Sequence, residues 1–161
     1  GMMLGMGNNK FDPHGTTSRA MIVTILYRLE GEPTISGKNP FVDVKNGTWY
    51  TDAVIWAEEN GIVDGYGEGK FGPDDAITRE QMAKILYNYA KYKKYNVSAR
   101  TSLSPFSDSN KINSWATDEM QWAVAVGLIQ GMSDEIINPQ GNAERCQVAV
   151  IFMRFCNEYV K

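Results

Sequence analysis

FGPDDAITREQM, residues 71–82, is the stretch of sequence that decides the fold, because two other segments of the chain repeat its pattern. The counterparts are FDPHGTTSRAMI at residues 11–22 and INPQGNAERCQV at residues 137–148. In each copy an aromatic or branched apolar residue precedes x-Pro, and an arginine six residues after the proline opens an amphipathic run. At intervals of 60 and 66 residues, this arginine recurs as Arg19, Arg79 and Arg145. A period of this length indicates supersecondary units that stack, so we interpret the chain as a repeat protein.

Hydrophobic periodicity predicts two kinds of helix. A short helix is expected from about Thr51 to Asn60 and again from about Thr117 to Val126, each followed by a glycine suited to a left-handed helix end. A longer helix begins beside each arginine, and in the second copy Thr78 and Gln81 form a capping-box pattern. The expected bounds of the longer helices are Ser18 to Leu29, Thr78 to Lys91 and Glu144 to Tyr159. A loop rich in glycine joins the short helix to the long one.

Alignment of the copies predicts three repeats, at residues 1–34, 41–97 and 105–161. The first is irregular, because residues 5–11 align with residues 65–71, so the chain begins where a first helix should already have ended. We therefore expect the first repeat to lack its first helix and to leave apolar helix surface open. A second chain, as a homodimer or a swapped contact, or a rearranged amino end is expected to cover that surface.

Composition and cysteine usage exclude several classes of function. With 43% apolar residues, 22% charged residues and a net charge of -3, the chain has no basic field that would attract nucleic acid. Cys146 and Cys156 are ten residues apart in one predicted helix, about 15 Å along its axis, which is too far for a disulfide. His14 is the single histidine and there is no CxxC. We therefore expect no zinc site, no cysteine–histidine catalytic pair and no cofactor.

The sequence carries no membrane or export signal that we recognise. No apolar run approaches the roughly 20 residues that span a bilayer. The amino end, residues 1–5, lacks a charged leader and a cleavage site. The expectation from these residues alone is either a cytosolic protein or a fragment of a longer one.

Further motifs in the two full copies resemble a known family. Both copies open with Phe-x-Asp, place a tryptophan before the short helix, and continue through a Gly-x-x-x-Gly turn to Phe-x-Pro or its equivalent. These elements are Phe41 to Asp43, Phe106 to Asp108, Trp49, Trp115, Gly61 to Gly65, and Gly127 to Gly131. In this order and spacing they resemble S-layer homology repeats, over nearly the whole chain. The chain departs from the family at the Thr-Arg-Ala-Glu-like motif, where the arginine is present in all three copies and the final acid in none.

The resemblance implies an all-α fold with a pseudo-threefold arrangement of repeats around a central helix bundle. It implies a non-catalytic module that anchors an exported bacterial protein to a secondary cell-wall polysaccharide, often one carrying a pyruvyl ketal. The chain would then be an extracellular fragment of a larger protein at the cell wall surface, with no membrane insertion.

The arginines are the first candidates for a binding site. A cation in the first turn of a helix is unfavourable for the helix itself. An arginine fork beside free backbone N–H groups suits a carboxylate or a phosphate. The alternative is that each arginine ties down its own loop, with Asp74 or Asp75 within reach of Arg79, or covers the core with its methylene groups.

The expected carbohydrate-binding residues lie in grooves between repeats. Arg19 should face Asp43 and Trp49, and Arg79 should face Asp108 and Trp115, whereas Arg145 would face the missing half-repeat. Trp49 and Trp115 would pack on a sugar face or plug a groove wall, and Trp56 and Trp122 belong to the core. The full expected set is Arg19, Arg79, Arg145, Asp43, Asp108, Trp49, Trp115, Gly65 and Gly131.

Three other classes compete with wall binding. A calcium loop at residues 64–75 fails the EF-hand pattern, because Tyr66 falls on a ligand position and the last position is Asp75 rather than glutamate. A glycoside hydrolase would need paired carboxylates such as Asp43 and Glu80, and nothing marks such a pair. A protein-interaction module, or an accessory segment of an exported carbohydrate-active enzyme, remains an alternative.

Overall fold

The structure, a computed structural model, describes residues 3–5 and 7–160. The predicted outer ends of the first and third repeats, at Gly1 and Lys161, lie outside the described residues. The helices are α1 (Arg19–Leu29), α2 (Thr51–Glu59), α3 (Arg79–Tyr92), α4 (Thr117–Ala125) and α5 (Arg145–Tyr159). Two short 3-10 turns, Ser109–Lys111 and Ser114–Ala116, precede α4. Regular structure in the described ranges is thus helical, apart from isolated bridges, which confirms the predicted all-α fold. Each helix lies within one residue of its predicted bounds.

Capping side chains fix the start of each long helix. The Ser18 hydroxyl accepts a hydrogen bond from the Met21 N–H at 3.3 Å. Thr78 and Gln81 form the predicted capping box at α3, and Glu144 forms the corresponding box with Gln147 at α5. These caps satisfy backbone donors that the first turn leaves unpaired.

The amino ends of the three long helices meet around a pseudo-threefold axis. Three backbone hydrogen bonds close a ring there, from Thr17 N to Ala143 O, from Ala143 N to Ile77 O, and from Ile77 N to Thr17 O, at 3.3, 3.0 and 2.8 Å. The ring joins three loop–helix units, which we name unit A (residues 3–5 and 7–29), unit B (residues 61–92) and unit C (residues 127–159). Residues far apart in sequence thereby become neighbours at the axis.

A second set of backbone bonds reinforces this ring. The first two N–H groups of α1, on Arg19 and Ala20, donate to the carbonyls of Asp75 and Pro73 in unit B at 2.9 and 3.1 Å. The first two N–H groups of α3 donate in the same way to unit C, and those of α5 donate to unit A. Each long helix is therefore held by the loop of the next unit around the axis.

The short helices pack on the outside of the long ones. Helix α2 lies against α1 and α4 against α3. Trp56 contacts Tyr27 at a ring separation of 5.6 Å, and Trp122 contacts Tyr87 at 5.3 Å. Both tryptophans are buried, as predicted. The positions of the long helices that helical spacing predicts to face inward are also buried, except Leu29, which is half-buried; they are Ile22, Ile25, Leu26, Leu29, Met82, Ile85, Leu86, Tyr89, Val148, Ile151, Phe152 and Phe155.

Helix α5 has no short helix packed against it among the described residues. Val150 and Met153, at the positions that α2 and α4 cover on α1 and α3, are 39% and 54% exposed. The expected open apolar surface is therefore present. Residues 3–5 do not cover this surface. They line a pocket with Arg145, whereas Val150 lines a different pocket with Arg79.

Candidate functional site

The three recurrent arginines join neighbouring units through their guanidinium groups. Arg19 is 5% exposed and donates from Nε to the Phe71 carbonyl at 2.9 Å and from Nη2 to the Asp64 carbonyl at 3.1 Å. Arg79 and Arg145 make the equivalent pairs of bonds, with acceptors Ile137, Gln130, Phe11 and Leu4. The alternative that each arginine ties down its own loop is wrong, because in all three cases the bonded loop belongs to the next unit.

The environment of Arg19 combines burial with aromatic and acidic neighbours. Its guanidinium carbon lies 4.5 Å from the centre of the Tyr66 ring and 4.7 Å from that of Phe71. Burial lowers the pKa of Arg19, and the negative charges of Asp75 and Asp43 oppose that effect. The cation is thus held by ring faces and carbonyl groups rather than by a direct ion pair.

The backbone N–H groups at the helix amino ends are already used. On α1 the first two donate to unit B, and the third, of Met21, donates to Ser18. On α3 the third, of Gln81, donates to the Thr78 hydroxyl at 3.2 Å. The expectation of free backbone donors beside the arginine is therefore wrong. What remains is Nη1 of Arg19 and of Arg79, for which no hydrogen-bond partner exists within the described ranges.

The two aspartates of the Phe-x-Asp openings hold the loops that carry the carbonyl acceptors. Asp43 accepts hydrogen bonds from the N–H groups of Phe71 and Gly72 at 2.9 and 2.8 Å. Burial acts to raise the pKa of Asp43, but these hydrogen bonds outweigh it, and the pKa lies below its ordinary value. Asp108 makes the equivalent pair of bonds in unit C, with the same effect on its pKa. As predicted, Asp43 lies close to Arg19 and Asp108 close to Arg79.

Gly65 and Gly131 lie where the loop packs tightly against its own backbone and against a phenylalanine ring, Phe41 or Phe106. A Cβ on Gly65 would stand 2.6 Å from the Lys70 carbonyl oxygen and 2.7 Å from the Phe41 ring. A Cβ on Gly131 would stand 2.2 Å from the Ser133 carbonyl oxygen. These glycines shape the loop without offering a group to a ligand.

Grooves A and B lie between neighbouring units and have a common plan. Each has a floor formed by an arginine and the loop of the next unit, one wall formed by that unit's long helix, and a second wall formed by a tryptophan. Groove A, ≈ 320 Å³, contains Arg145, residues 3–5, helix α1 and Trp49. Groove B, ≈ 470 Å³, contains Arg19, residues 62–66, helix α3 and Trp115.

The tryptophans therefore face different arginines from those predicted. Trp49, 58% exposed, lies in the groove of Arg145 rather than of Arg19, and Trp115, 45% exposed, lies in the groove of Arg19 rather than of Arg79. The reason is that each short helix packs on the long helix of the preceding unit, which carries the tryptophan to the far side of that helix. Both side chains are too exposed to be core residues.

Groove C is the incomplete one. It has a volume of ≈ 260 Å³ and contains Arg79, residues 128–132 and helix α5. No tryptophan lines it in the part of the chain that the structure describes. The sequence pattern predicted that Arg145 would have the open groove, and the structure assigns it to Arg79 instead.

Several groove residues were missed by the sequence pattern. In groove B these are Tyr66, Gln81, Lys84 and Asn88, and Lys84 is paired with Glu119 at 2.9 Å. Arg28 in groove A and Arg154 in groove C occupy the helix position that Asn88 occupies in groove B. Because these positions differ in chemistry between units, repetition gave no signal for them.

His14, Glu144 and Cys146 form a cluster that the sequence analysis excluded. Their nitrogen, oxygen and sulfur atoms all lie within 4.8 Å of one another. The sequence predicted no zinc site and no cysteine–histidine pair, but the ring around the axis brings the loop of unit A, with its histidine, to the amino end of α5.

Comparisons with known proteins identify the family. The family model "S-layer homology domain" matches residues 40–83 and 105–149, more than half of the chain. A surface-layer 125 kDa protein of Lysinibacillus sphaericus is 34% identical over 96% of this chain and 13% of its own length. An amylopullulanase of Thermoanaerobacterium thermosulfurigenes is 35% identical over 91% of this chain and 8% of its own length. A cellulosome-anchoring protein of Acetivibrio thermocellus is 27% identical over 93% of this chain and 34% of its own length.

The chain thus spans about a third or less of these relatives. Among solved structures, an undecaheme cytochrome from the S-layer of Carboxydothermus ferrireducens aligns with 91% of this chain and 22% of its own, at 19% identity and a TM-score of 0.46. Within the described residues, no helix combines the length and apolar character that crossing a membrane requires. From the family match, the chain belongs to the S-layer homology domain family, whose members are non-catalytic modules that anchor proteins at the bacterial cell surface.

Proposed function

We propose that this chain anchors a larger exported protein by binding an anionic secondary cell-wall polysaccharide in grooves A and B. A carboxylate of the polymer, such as that of a pyruvyl ketal, would pair with the arginine in the floor of each groove. A sugar ring would lie against the tryptophan in the wall. Family membership supports the anchoring role, and the geometry of the grooves supports the mode of binding.

The observation that carries this proposal is the unused donor of a buried arginine in groove B. Nε and Nη2 of Arg19 are tied to carbonyl groups, which fixes the plane of the guanidinium and leaves Nη1 as the donor for a ligand. A charge fixed in this way loses little side-chain entropy on binding, and an arginine–carboxylate hydrogen bond is a strong one. Because Nε and Nη2 are occupied, the carboxylate would contact the guanidinium through Nη1 alone rather than through a bidentate fork.

Aromatic rings give groove B a second means of recognition. Trp115 and Tyr66 are 45% and 52% exposed and both line the groove. Large exposed aromatic faces suit the apolar face of a sugar ring, and the amide groups of Gln81 and Asn88 can hydrogen-bond to its hydroxyl groups. Groove A offers one exposed aromatic ring, Trp49, together with a second cation, Arg28.

Asp43, Asp108, Gly65 and Gly131 would act indirectly. The carboxylate oxygens of both aspartates are bonded to backbone N–H groups, and the glycines admit the tight loop. We propose that these four residues hold the groove floor in place, so that their loss would weaken binding through the fold.

The direct test is binding of the chain to purified wall polysaccharide with and without its ketal groups. We expect binding to the native polymer and loss of binding to the polymer without ketals. Trp115→Ala should weaken binding about 2- to 10-fold, since an aromatic contact contributes about 0.5–1.5 kcal/mol. Val42→Ala is the matched control, because Val42 is 80% exposed and does not line the three grooves. Equal binding to both polymers would exclude the arginine–carboxylate mechanism.

The anchored cargo has two candidates. The relatives include a surface-layer protein and several polysaccharide-degrading enzymes, among them an endoglucanase of Bacillus sp. and the amylopullulanase. The chain would accordingly be a segment either of a surface protein or of an exported carbohydrate-active enzyme. A protein-interaction module is the alternative to wall binding, and it predicts that retention on cell walls persists after the polysaccharide is extracted.

We also propose that the exposed face of α5 is covered in the assembled protein, by a second chain or by another segment. Val150 and Met153 supply the apolar surface. Light scattering of the chain should then show a concentration-dependent dimer that Met153→Glu abolishes, and a monomer at all concentrations would exclude the second chain.

The repeat bounds 1–34, 41–97 and 105–161 stay predictions that limited proteolysis can test.

A further inference from the structure

Three side chains with metal-binding atoms meet at the boundary between units A and C. His14 Nδ1 lies 2.9 Å from Oε2 of Glu144, and Cys146 Sγ lies 3.6 Å from the same oxygen. His14 is separated from Glu144 by 130 residues, so the cluster exists only in the folded chain. It lies outside grooves A and B, and of its members Cys146 also lines groove C.

Backbone hydrogen bonds hold these three residues in place. The two carbonyl groups that flank His14, those of Pro13 and Gly15, accept bonds from the N–H groups of Cys146 and Arg145, each at 2.9 Å. The adjoining residue Thr16 forms an isolated bridge with Glu144. The loop that carries the histidine is therefore pinned on both sides to the segment that carries the other two groups.

The atoms and their spacing fit a tetrahedral zinc ion. Zn²⁺ binds cysteine sulfur at about 2.3 Å, histidine nitrogen at about 2.0–2.1 Å and carboxylate oxygen at about 2.0–2.2 Å. Tetrahedral angles then require separations of about 3.6 Å between sulfur and oxygen and about 3.4 Å between nitrogen and oxygen. The first matches the observed 3.6 Å, and the second needs His14, an exposed side chain, to move by about half an ångström. The third separation, between the His14 nitrogen and the Cys146 sulfur, is within 4.8 Å and has to reach about 3.6 Å, which the same movement of His14 must supply.

We propose that His14, Glu144 and Cys146 form a zinc site that fastens the loop of unit A to helix α5 of unit C. A thiolate and a carboxylate supply two negative charges to the divalent cation, and a fourth position is left for water or a ligand. Zinc binds a thiolate and a neutral imidazole, so binding displaces the Cys146 thiol proton into solvent and leaves the proton of the His14 ring on Nε2, and the reaction releases a proton.

The other two boundaries between units do not offer this set. The residues equivalent to His14, Glu144 and Cys146 are Asp74, Ser18 and Ala20 at one boundary and Gln140, Thr78 and Glu80 at the other. The site therefore belongs to the closing contact of the ring, between the first and the last unit. Zinc would stabilise that contact without contributing to polysaccharide binding, and the proposal does not depend on the proposed function.

The test is calorimetric titration of the whole chain with ZnCl₂, together with its melting temperature with and without the metal. We expect one ion per chain, proton release that varies with the buffer's ionisation enthalpy, and a higher melting temperature. His14→Ala and Cys146→Ser should each abolish the binding heat and the shift in melting temperature. Cys156→Ser is the matched control and should retain both, since Cys156 lies outside the cluster.

Cobalt substitution gives a second measurement that does not depend on stability. Co²⁺ bound by the native chain and by Cys156→Ser should show a thiolate-to-metal charge-transfer band and the visible absorption of a tetrahedral site. That band should be absent for Cys146→Ser, whose folding is checked by its helical circular dichroism. No heat of zinc binding by the native chain, or a cobalt spectrum without the thiolate band, would overturn the proposal.

Discussion

Replacement of Arg19 by lysine measures how much the two guanidinium hydrogen bonds contribute to the stability of the fold. The native side chain bonds two carbonyl groups of unit B, at 2.9 and 3.1 Å, and is 5% exposed. Lysine keeps the positive charge, but its single ammonium lacks the planar fork, so we expect it to reach at most one of the two carbonyl groups. An unsatisfied buried acceptor costs about 1–3 kcal/mol, which is the expected loss in the free energy of unfolding. Arg19→Ala removes both bonds and should lose about 2–6 kcal/mol, close to the whole stability of a small domain.

Urea denaturation measures this loss. With a slope of about 2 kcal/mol per molar urea, Arg19→Lys should lower the midpoint by about 0.5–1.5 M without changing the slope. Arg100→Lys is the matched control, because Arg100 is exposed and its partners within the described part of the chain are the nearby carbonyl groups of Val97 and Ala99 and the Tyr87 hydroxyl. Its free energy of unfolding should stay within about 0.5 kcal/mol of the native value. A native midpoint for Arg19→Lys would refute the inference that the fork joins the units.

The remaining predictions concern acid stability, loop shape and groove occupancy. The pKa of Asp43 and of Asp108 in the folded chain lies below the unfolded value of about 3.9, so the unfolded state takes up protons first as pH falls. Stability should therefore decline below about pH 4, and Asp43→Asn, but not the exposed Asp52→Asn, should flatten that decline in acid denaturation. Gly131→Ala forces a Cβ to within 2.2 Å of a backbone oxygen and should destabilise the fold by about 1–3 kcal/mol, as measured by urea denaturation; an unchanged midpoint would contradict the loop geometry. A ketal-bearing oligosaccharide should bind at two sites per chain in calorimetry, and Trp49→Ala should selectively weaken one of them, whereas a third equal site would contradict the incomplete groove C.

The helices and the core could be predicted from the sequence because local rules determine them. Helix α3 begins one residue from its predicted start, since the side chains of Thr78 and Gln81 bond within the first turn itself. Trp56 and Trp122 stand at helical spacing from other apolar residues, and both are buried. Family resemblance added the pseudo-threefold arrangement, which no local pattern specifies.

Which arginine each groove tryptophan faces could not be predicted from the sequence, because it depends on how the short helices cross the long ones. Sequence order suggested that Trp49 faces Arg19, the arginine that precedes it. In the fold, α2 packs on α1, and Trp49 emerges on the side of α1 that faces Arg145. The same long-range closure brings His14 to Cys146 across 132 positions of sequence. A pattern that repeats along the chain reveals the units, but not which side of each helix its neighbours occupy.

Hydrogen bonds between the units are enough to explain why an arginine recurs at the amino end of each long helix. Each guanidinium satisfies two carbonyl groups of the next unit, and the N–H groups around it are used by the same ring. Three arginines at equivalent positions therefore do not imply three ligand sites. We propose that a tryptophan in its wall marks a binding groove, and a tryptophan is present beside Arg19 and Arg145 and is not found beside Arg79 within the described residues. It follows that an arginine-to-alanine variant with lost wall binding cannot separate recognition from unfolding, whereas replacement of an exposed groove tryptophan can.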